Sequence, residues 1–159
     1  MRKMIEPEIR QALSLWKWAT ICTVSPGRMP YAIEATYFMA DDSQMNFMIN
    51  PRGTTVRNIQ KNPHVLVKVT LADPSLSRWA GVSVYGIARM ERSPAKIRRG
   101  WALLGQVMNA DYREAAEKFV RTPEKSPLFI VDIREMTGRC SAGPGSGIDF
   151  QWFDQGRQV

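Results

Sequence analysis

Apolar and polar positions alternate with different periods along the chain, and the periods define the elements. Ile5, Ile9, Ala12, Leu13 and Trp16 recur at helical spacing, which predicts an amphipathic helix over residues 6 to 16 with Pro7 in its first turn. From Trp18 to Ser25 the pattern changes to alternation rich in β-branched residues, the signature of a strand. Pro26-Gly27 turns the chain, Met29 to Met39 reads as a second strand, Asp41-Asp42 turns it again, and Gln44 to Asn50 reads as a third. Val65, Val67, Val69 and Leu71 alternate with Leu66, Lys68 and Thr70, so this strand has one wet face. A long strand follows from Trp79 to Glu91, and Gly86 within it marks a bulge or a barrel corner. Ser93-Pro94 opens a helical stretch to about Val120, interrupted between Gly105 and Asp111, and Leu128 to Met136 forms the last strand. Six strands in short-turn order, an N-terminal helix, a short crossover helix and a helix pair predict an antiparallel β-barrel with packed helices.

The short crossover helix lies in Phe47 to Pro63, FMINPRGTTVRNIQKNP. Asn50-Pro51 breaks the strand, and Val56-Arg57-Asn58-Ile59 forms about two helical turns. Thr54 suits the N-cap, because its hydroxyl can accept from a free amide of the first turn. Two readings stand side by side. One is a capped surface helix with Arg52 in solvent. The other is an anion cradle, in which free amides, the Arg52 guanidinium and the close approach allowed by Gly53 converge on a phosphate.

Composition narrows the class. The 159 residues suit one domain, expected over residues 1–137, with a Gly-rich tail at 138–159. No apolar run approaches the ~18 residues of a membrane span, no secretory signal is recognisable, and the cytoplasm is the expected compartment. Cys22 and Cys140 have the spacing of neither a zinc site nor a disulfide framework. The formal net charge is +7, which admits nucleic acid as a partner. The cations are spread along the chain, however, and no nucleic-acid-binding signature accompanies them. His64 is the only histidine, so a catalytic triad or a histidine-based metal site would have to use it. Glu34 interrupts an apolar strand and reads as a solvent-facing residue of the alternation. The tail segment GPGSG precedes no helix and reads as a linker, with Phe150, Trp152 and Phe153 after it to dock the tail.

Three stretches taken together resemble the pyridoxamine 5'-phosphate oxidase-related, FMN-binding split-barrel family. They are the strand running into Asn50, the helix V-R-N-I with Asn62-Pro63 after it, and the strand V-S-V-Y-G-I-A-R at 82–89. The resemblance covers roughly residues 8 to 136 and implies a mainly β fold, a six-stranded antiparallel split barrel. It implies an FMN cofactor at a homodimer interface, with the strand of Glu34, Thr36 and Tyr37 passing the flavin ring, and a small-molecule redox substrate. Its implied cofactor-binding residues are Thr36, Met48, Ile49, Asn50, Arg52, Gly53, Thr54, Thr55, Arg57 and Lys61. The family's Ser-basic-Lys triplet falls on Gly53-Thr54-Thr55, so the usual lysine is missing. The Arg-Leu-x-Pro motif of the true oxidases is also absent, since Trp152 is followed by Phe-Asp-Gln-Gly-Arg-Gln-Val. An FMN-dependent oxidoreductase is the first expectation. A non-enzymatic binding protein for flavin, deazaflavin or haem on the same fold is the second.

Overall fold

The structure is a computed structural model and describes residues 1–151. A two-residue strand β1 (Arg2–Lys3) precedes helix α1 (Glu6–Leu15), then come β2 (Trp18–Val24), β3 (Pro30–Asp41) and β4 (Gln44–Met48). Helix α2 (Thr54–Ile59) leads to β5 (His64–Ala72) and β6 (Trp79–Met90). The pair α3 (Pro94–Met108) and α4 (Arg113–Arg121) and one 3-10 turn (Pro123–Lys125) lead to β7 (Leu128–Cys140). The sheet order is β1-β7-β4-β3-β2-β5-β6, every pairing is antiparallel, and β7 also pairs with β6. That last pairing closes six strands into a split barrel and leaves β1 on the edge of β7.

Alternation explains the barrel. Val65, Val67, Val69 and Leu71 of β5 and Val82 and Val84 of β6 point inward and are almost completely buried, together with Tyr37, Met45, Phe47 and Phe129. Helix α1 plugs one end with Ile9, Ala12 and Leu13, and the buried Tyr37 hydroxyl donates to the Leu13 carbonyl at 2.8 Å. Helix α2 covers the other end. Its buried Asn58 amide donates to Thr23 Oγ1 at 2.9 Å, and the Pro63 carbonyl after it accepts from the Ala88 N–H. A second, smaller core lies outside the barrel, where Phe38, Leu128 and Ile130 meet Ile97 of α3.

Three elements differ from the sequence pattern. The last strand runs to Cys140, past Met136. A bulge opposite Tyr85 and Gly86 switches its inward positions from Phe129 and Val131 to Gly138 and Cys140, so the alternation breaks and the glycine imitates a loop. Gly138 is a strand residue against which α1 packs; a Cβ there would lie 2.7 Å from Met4 Sδ and 2.9 Å from Ile9 Cγ1. The N-cap of α2 is Gly53, with Thr54 as the first helical residue. The Thr54 hydroxyl accepts from the Arg57 guanidinium at 2.7 Å and makes no cap hydrogen bond. The segment after Gly143 packs back on the barrel. Arg2 donates to the Ser146 carbonyl, and Phe150 is buried in the main core. Trp152 and Phe153 lie outside the described residues.

No described helix is long and apolar enough to cross a membrane. Among the described residues no group of three His, Cys, Asp or Glu side chains is placed to hold a metal ion.

Candidate functional site

The turn between β4 and α2 is built by its own polar groups. The Asn50 side-chain carbonyl accepts from the Arg52 N–H at 2.9 Å, and the Asn50 main-chain carbonyl accepts from the Gly53 N–H at 3.0 Å. A Cβ at Gly53 would lie 3.1 Å from that carbonyl, so the turn is tight at the glycine. Arg57, one helical turn on, reaches back and donates to the Arg52 carbonyl at 3.1 Å as well as to Thr54 Oγ1. The first amides of any helix lack intrahelical acceptors, and α2 begins at this turn. The guanidinium groups of Arg52 and Arg57 are both exposed, and neither has a carboxylate partner among the described residues.

The other predicted residues divide between three surroundings. Thr55 is buried beside Val56 on the inner side of α2. Ile49 lies in the barrel core, its N–H donating to the Pro127 carbonyl, and Met48 faces the smaller core under α3. Thr36 lies on the outer face of β3, paired with Trp18. Lys61 is exposed beyond the far end of α2. The structure therefore gathers Asn50, Arg52, Gly53, Thr54 and Arg57 into one turn and leaves Met48, Ile49, Thr36 and Lys61 around it.

Thr36 belongs to a broad outer face formed by β3, β2, β5 and β6. Direct cross-strand neighbours make two rows on it. One row is Ala32, Cys22, Leu66 and Tyr85; the other is Glu34, Thr20, Lys68 and Ser83. Glu34 is exposed and accepts from the Thr20 hydroxyl at 2.6 Å. Burial, with the charge of Glu34 adding to it, pushes the Cys22 thiol up, so it stays protonated near neutrality. Trp18, Val24 and Tyr85 leave about 40% or more of their surface exposed here, an apolar area on an otherwise ordinary sheet.

A family model described as pyridoxamine 5'-phosphate oxidase matches residues 5–140, which spans the whole barrel. The chain belongs to the pyridoxamine 5'-phosphate oxidase family. Solved structures agree on its fold. A conserved hypothetical protein from Mycobacterium tuberculosis superposes with a TM-score of 0.73 at 16% identity, over 94% of each chain. An FAD-binding protein from Mesorhizobium loti gives 0.67 at 19% identity, over 89% of this chain and 98% of its own. The haem storage protein HutZ from Vibrio cholerae gives 0.60 at 18% identity, over 86% of this chain and 94% of its own. No curated protein matches in sequence.

A sizeable cavity lies away from the turn. It lies between α3 and α4, holds about 850 Å³, and is lined by Trp101 and Tyr112 with Arg98 and Arg113 at its edge. Both arginines are already matched, Arg98 by Glu117 at 2.6 Å and Arg113 by Asp111 at 2.7 Å. The Trp101 indole stacks on Phe119 and tilts against Tyr112, and its N–H is buried without a hydrogen-bond partner. The break between Gly105 and Asp111 that the sequence pattern predicts lines this cavity, and Asn109, with a φ of 50°, ends α3 there; nothing in the pattern marks the break as a cavity.

Proposed function

We propose that this protein binds flavin mononucleotide and serves as a flavin-dependent oxidoreductase of a small molecule, acting as a homodimer with the cofactor at the interface. The observation that carries the reading is the Asn50–Arg57 turn, where two guanidinium groups without carboxylate partners flank a glycine-tightened backbone at a helix start. These groups fit a phosphate: Arg52 and Arg57 supply charged donors, Thr54 a hydroxyl, and Gly53 close backbone approach. Arg57 also fixes the loop that carries Arg52, so the cradle is organised before a ligand arrives. Bound flavin would supply the electron transfer. The chain's own part is to hold the phosphate and to lay the ring along the outer side of β3, near Thr36 and Asn50. The apolar outer face with Trp18, Val24 and Tyr85 supports the homodimer, because a second copy covering it would remove exposed apolar surface from water.

Arg52→Ala tests the reading in a flavin fluorescence titration. Loss of a charged hydrogen bond costs about 1.5–3 kcal/mol, which weakens the dissociation constant by about 10- to 150-fold. Unchanged affinity removes Arg52 from the site.

A second reading, a non-enzymatic carrier of flavin, deazaflavin or haem, is favoured by one position. Thr55 stands where the family pattern places a lysine, and its side chain is buried and uncharged. The protein as purified, mixed with a nicotinamide reductant, separates the two readings. Bound ligand with no turnover supports the carrier, and catalytic oxidation of the reductant supports the oxidoreductase.

A further inference from the structure

The cavity between α3 and α4, of about 850 Å³, falls within the size range of small-ligand sites. Its walls follow helical spacing. Arg98, Ala102 and Gly105 recur on one face of α3, and Ala116 and Glu117 line it from α4. The barrel side of α3 is a different face, where Ile97 and Gly100 are buried and a Cβ at Gly100 would lie 2.8 Å from Leu128 Cδ1. No residue of the Asn50–Arg57 turn lines the cavity.

The chemistry of the walls is specific. Ala102, Gly105 and Ala116 are small, so the space between the helices stays unfilled. Gly105 has a steric reason to be glycine. A Cβ there would lie 2.7 Å from the Ala110 carbonyl oxygen, and the Ala110 N–H donates to the Gly105 carbonyl at 3.0 Å, which draws the connecting turn tight against α3. Trp101 and Tyr112 give the cavity aromatic walls, with Phe119 stacked on Trp101 at 5.6 Å. The charges at the edge cancel, because Arg98 is paired with Glu117 and Arg113 with Asp111. A charged ligand would find no unmatched charge to meet. The polar group left without a partner is the Trp101 N–H, the one buried side-chain donor or acceptor among the described residues that has none. An unpaired buried donor keeps its full desolvation cost, and an acceptor brought in from outside the chain removes it.

We infer that this cavity binds a small uncharged aromatic molecule, with its ring against Trp101 and Tyr112 and a carbonyl or ring-nitrogen acceptor on the Trp101 N–H. The site is built by α3, α4 and the turn between them, so the inference stands whether or not the Asn50–Arg57 turn binds flavin.

The test is NMR titration of the full chain with acetophenone, with ethylbenzene, which has a similar shape and no acceptor, and with benzoate. Backbone amides and the indole N–H signals report the binding. Acetophenone should give saturable shifts centred on Gly105, Ala116 and the Trp101 indole, and should bind more tightly than either ethylbenzene or benzoate. Trp101→Phe keeps a stacked ring and removes the donor, so it should weaken acetophenone about 3- to 10-fold and leave ethylbenzene unchanged. Ala102→Leu, at an exposed wall position, fills part of the cavity and should weaken both about tenfold, with flavin binding the same as in the parent. The inference is overturned if acetophenone gives no saturable shifts, if ethylbenzene or benzoate binds as tightly, or if acetophenone affinity is unchanged in Trp101→Phe or in Ala102→Leu. Loss of flavin binding in Ala102→Leu would overturn the separation of the two sites. A parent that binds acetophenone in this pattern and takes up no flavin would uphold the inference while removing the flavin reading.

Discussion

Two glycines on the same strand should respond in opposite directions to the same substitution. Gly86 sits where β6 bends at the bulge with β7, and a Cβ there would lie 2.5 Å from Val131 Cγ1 and 2.6 Å from the Asp132 carbonyl oxygen. Neither contact can yield cheaply. Val131 is completely buried, and the carboxylate of Asp132 is held by Arg89 and by Gln44. Overpacking of this kind costs about 1–3 kcal/mol. The alanine recovers about 0.4–1 kcal/mol by restricting the unfolded chain. The net loss in Gly86→Ala is about 1–2 kcal/mol, which lowers the melting temperature of a chain this long by about 2–8 °C. Gly81, five residues earlier, has only a flexible lysine tip near its missing Cβ. Gly81→Ala therefore keeps the unfolded-state gain alone and should raise the melting temperature by about 1–4 °C. Thermal melts followed by circular dichroism check both. Equal melting of Gly86→Ala and the parent, or a fall in Gly81→Ala as large as that in Gly86→Ala, would refute the argument that contact at the bulge fixes the glycine.

Other expectations follow from single contacts. Thr23→Val removes the acceptor of the buried Asn58 amide, costing about 1–3 kcal/mol in a urea unfolding curve and loosening α2 on the barrel; an unchanged midpoint would show that Asn58 finds another partner. The Glu8 carboxylate accepts two hydrogen bonds from Arg2 and is held down at about 2, from an ordinary 4.5. Because its folded value is depressed, the stability it contributes is complete above about pH 4.5 and is lost as pH falls through 2. The stability difference between the parent and Arg2→Gln should thus be constant near neutrality and shrink in acid, whereas a pH-independent difference would contradict the pairing. Arg57→Ala should weaken flavin binding by at least as much as Arg52→Ala, since it removes a charge and also frees the loop that carries Arg52. Affinity equal to the parent would separate Arg57 from the site.

Most of the barrel was legible because its strands are buried on one face, and burial writes alternation into the sequence. In β5 the inward valines and outward Leu66, Lys68 and Thr70 leave no other reading. Gly86 was read as a bulge or corner, and a register shift lies there. What was hidden depends on long-range contact. The bulge that switches the facing of β7 is set by its partner β6, and Gly138 is glycine because α1, far away in sequence, packs on it. Thr54 has the chemistry of an N-cap, but Arg57 claims its hydroxyl and the backbone turn at Asn50 hands the cap to Gly53. Of the candidate site, the residues contiguous in sequence came together in one turn. Met48 and Ile49 are adjacent in sequence and face different cores, because a strand sends successive side chains to opposite sides.

In the proposed function the Asn50–Arg57 turn holds the phosphate of a flavin. The direct measurement is the absorbance spectrum of the purified protein, with the released ligand identified by mass, repeated after incubation with added flavin mononucleotide. A flavin spectrum with close to one flavin mononucleotide per chain is expected, lost in Arg52→Ala/Arg57→Ala. A colourless protein that takes up no flavin would contradict it, as would a haem spectrum that survives the double substitution.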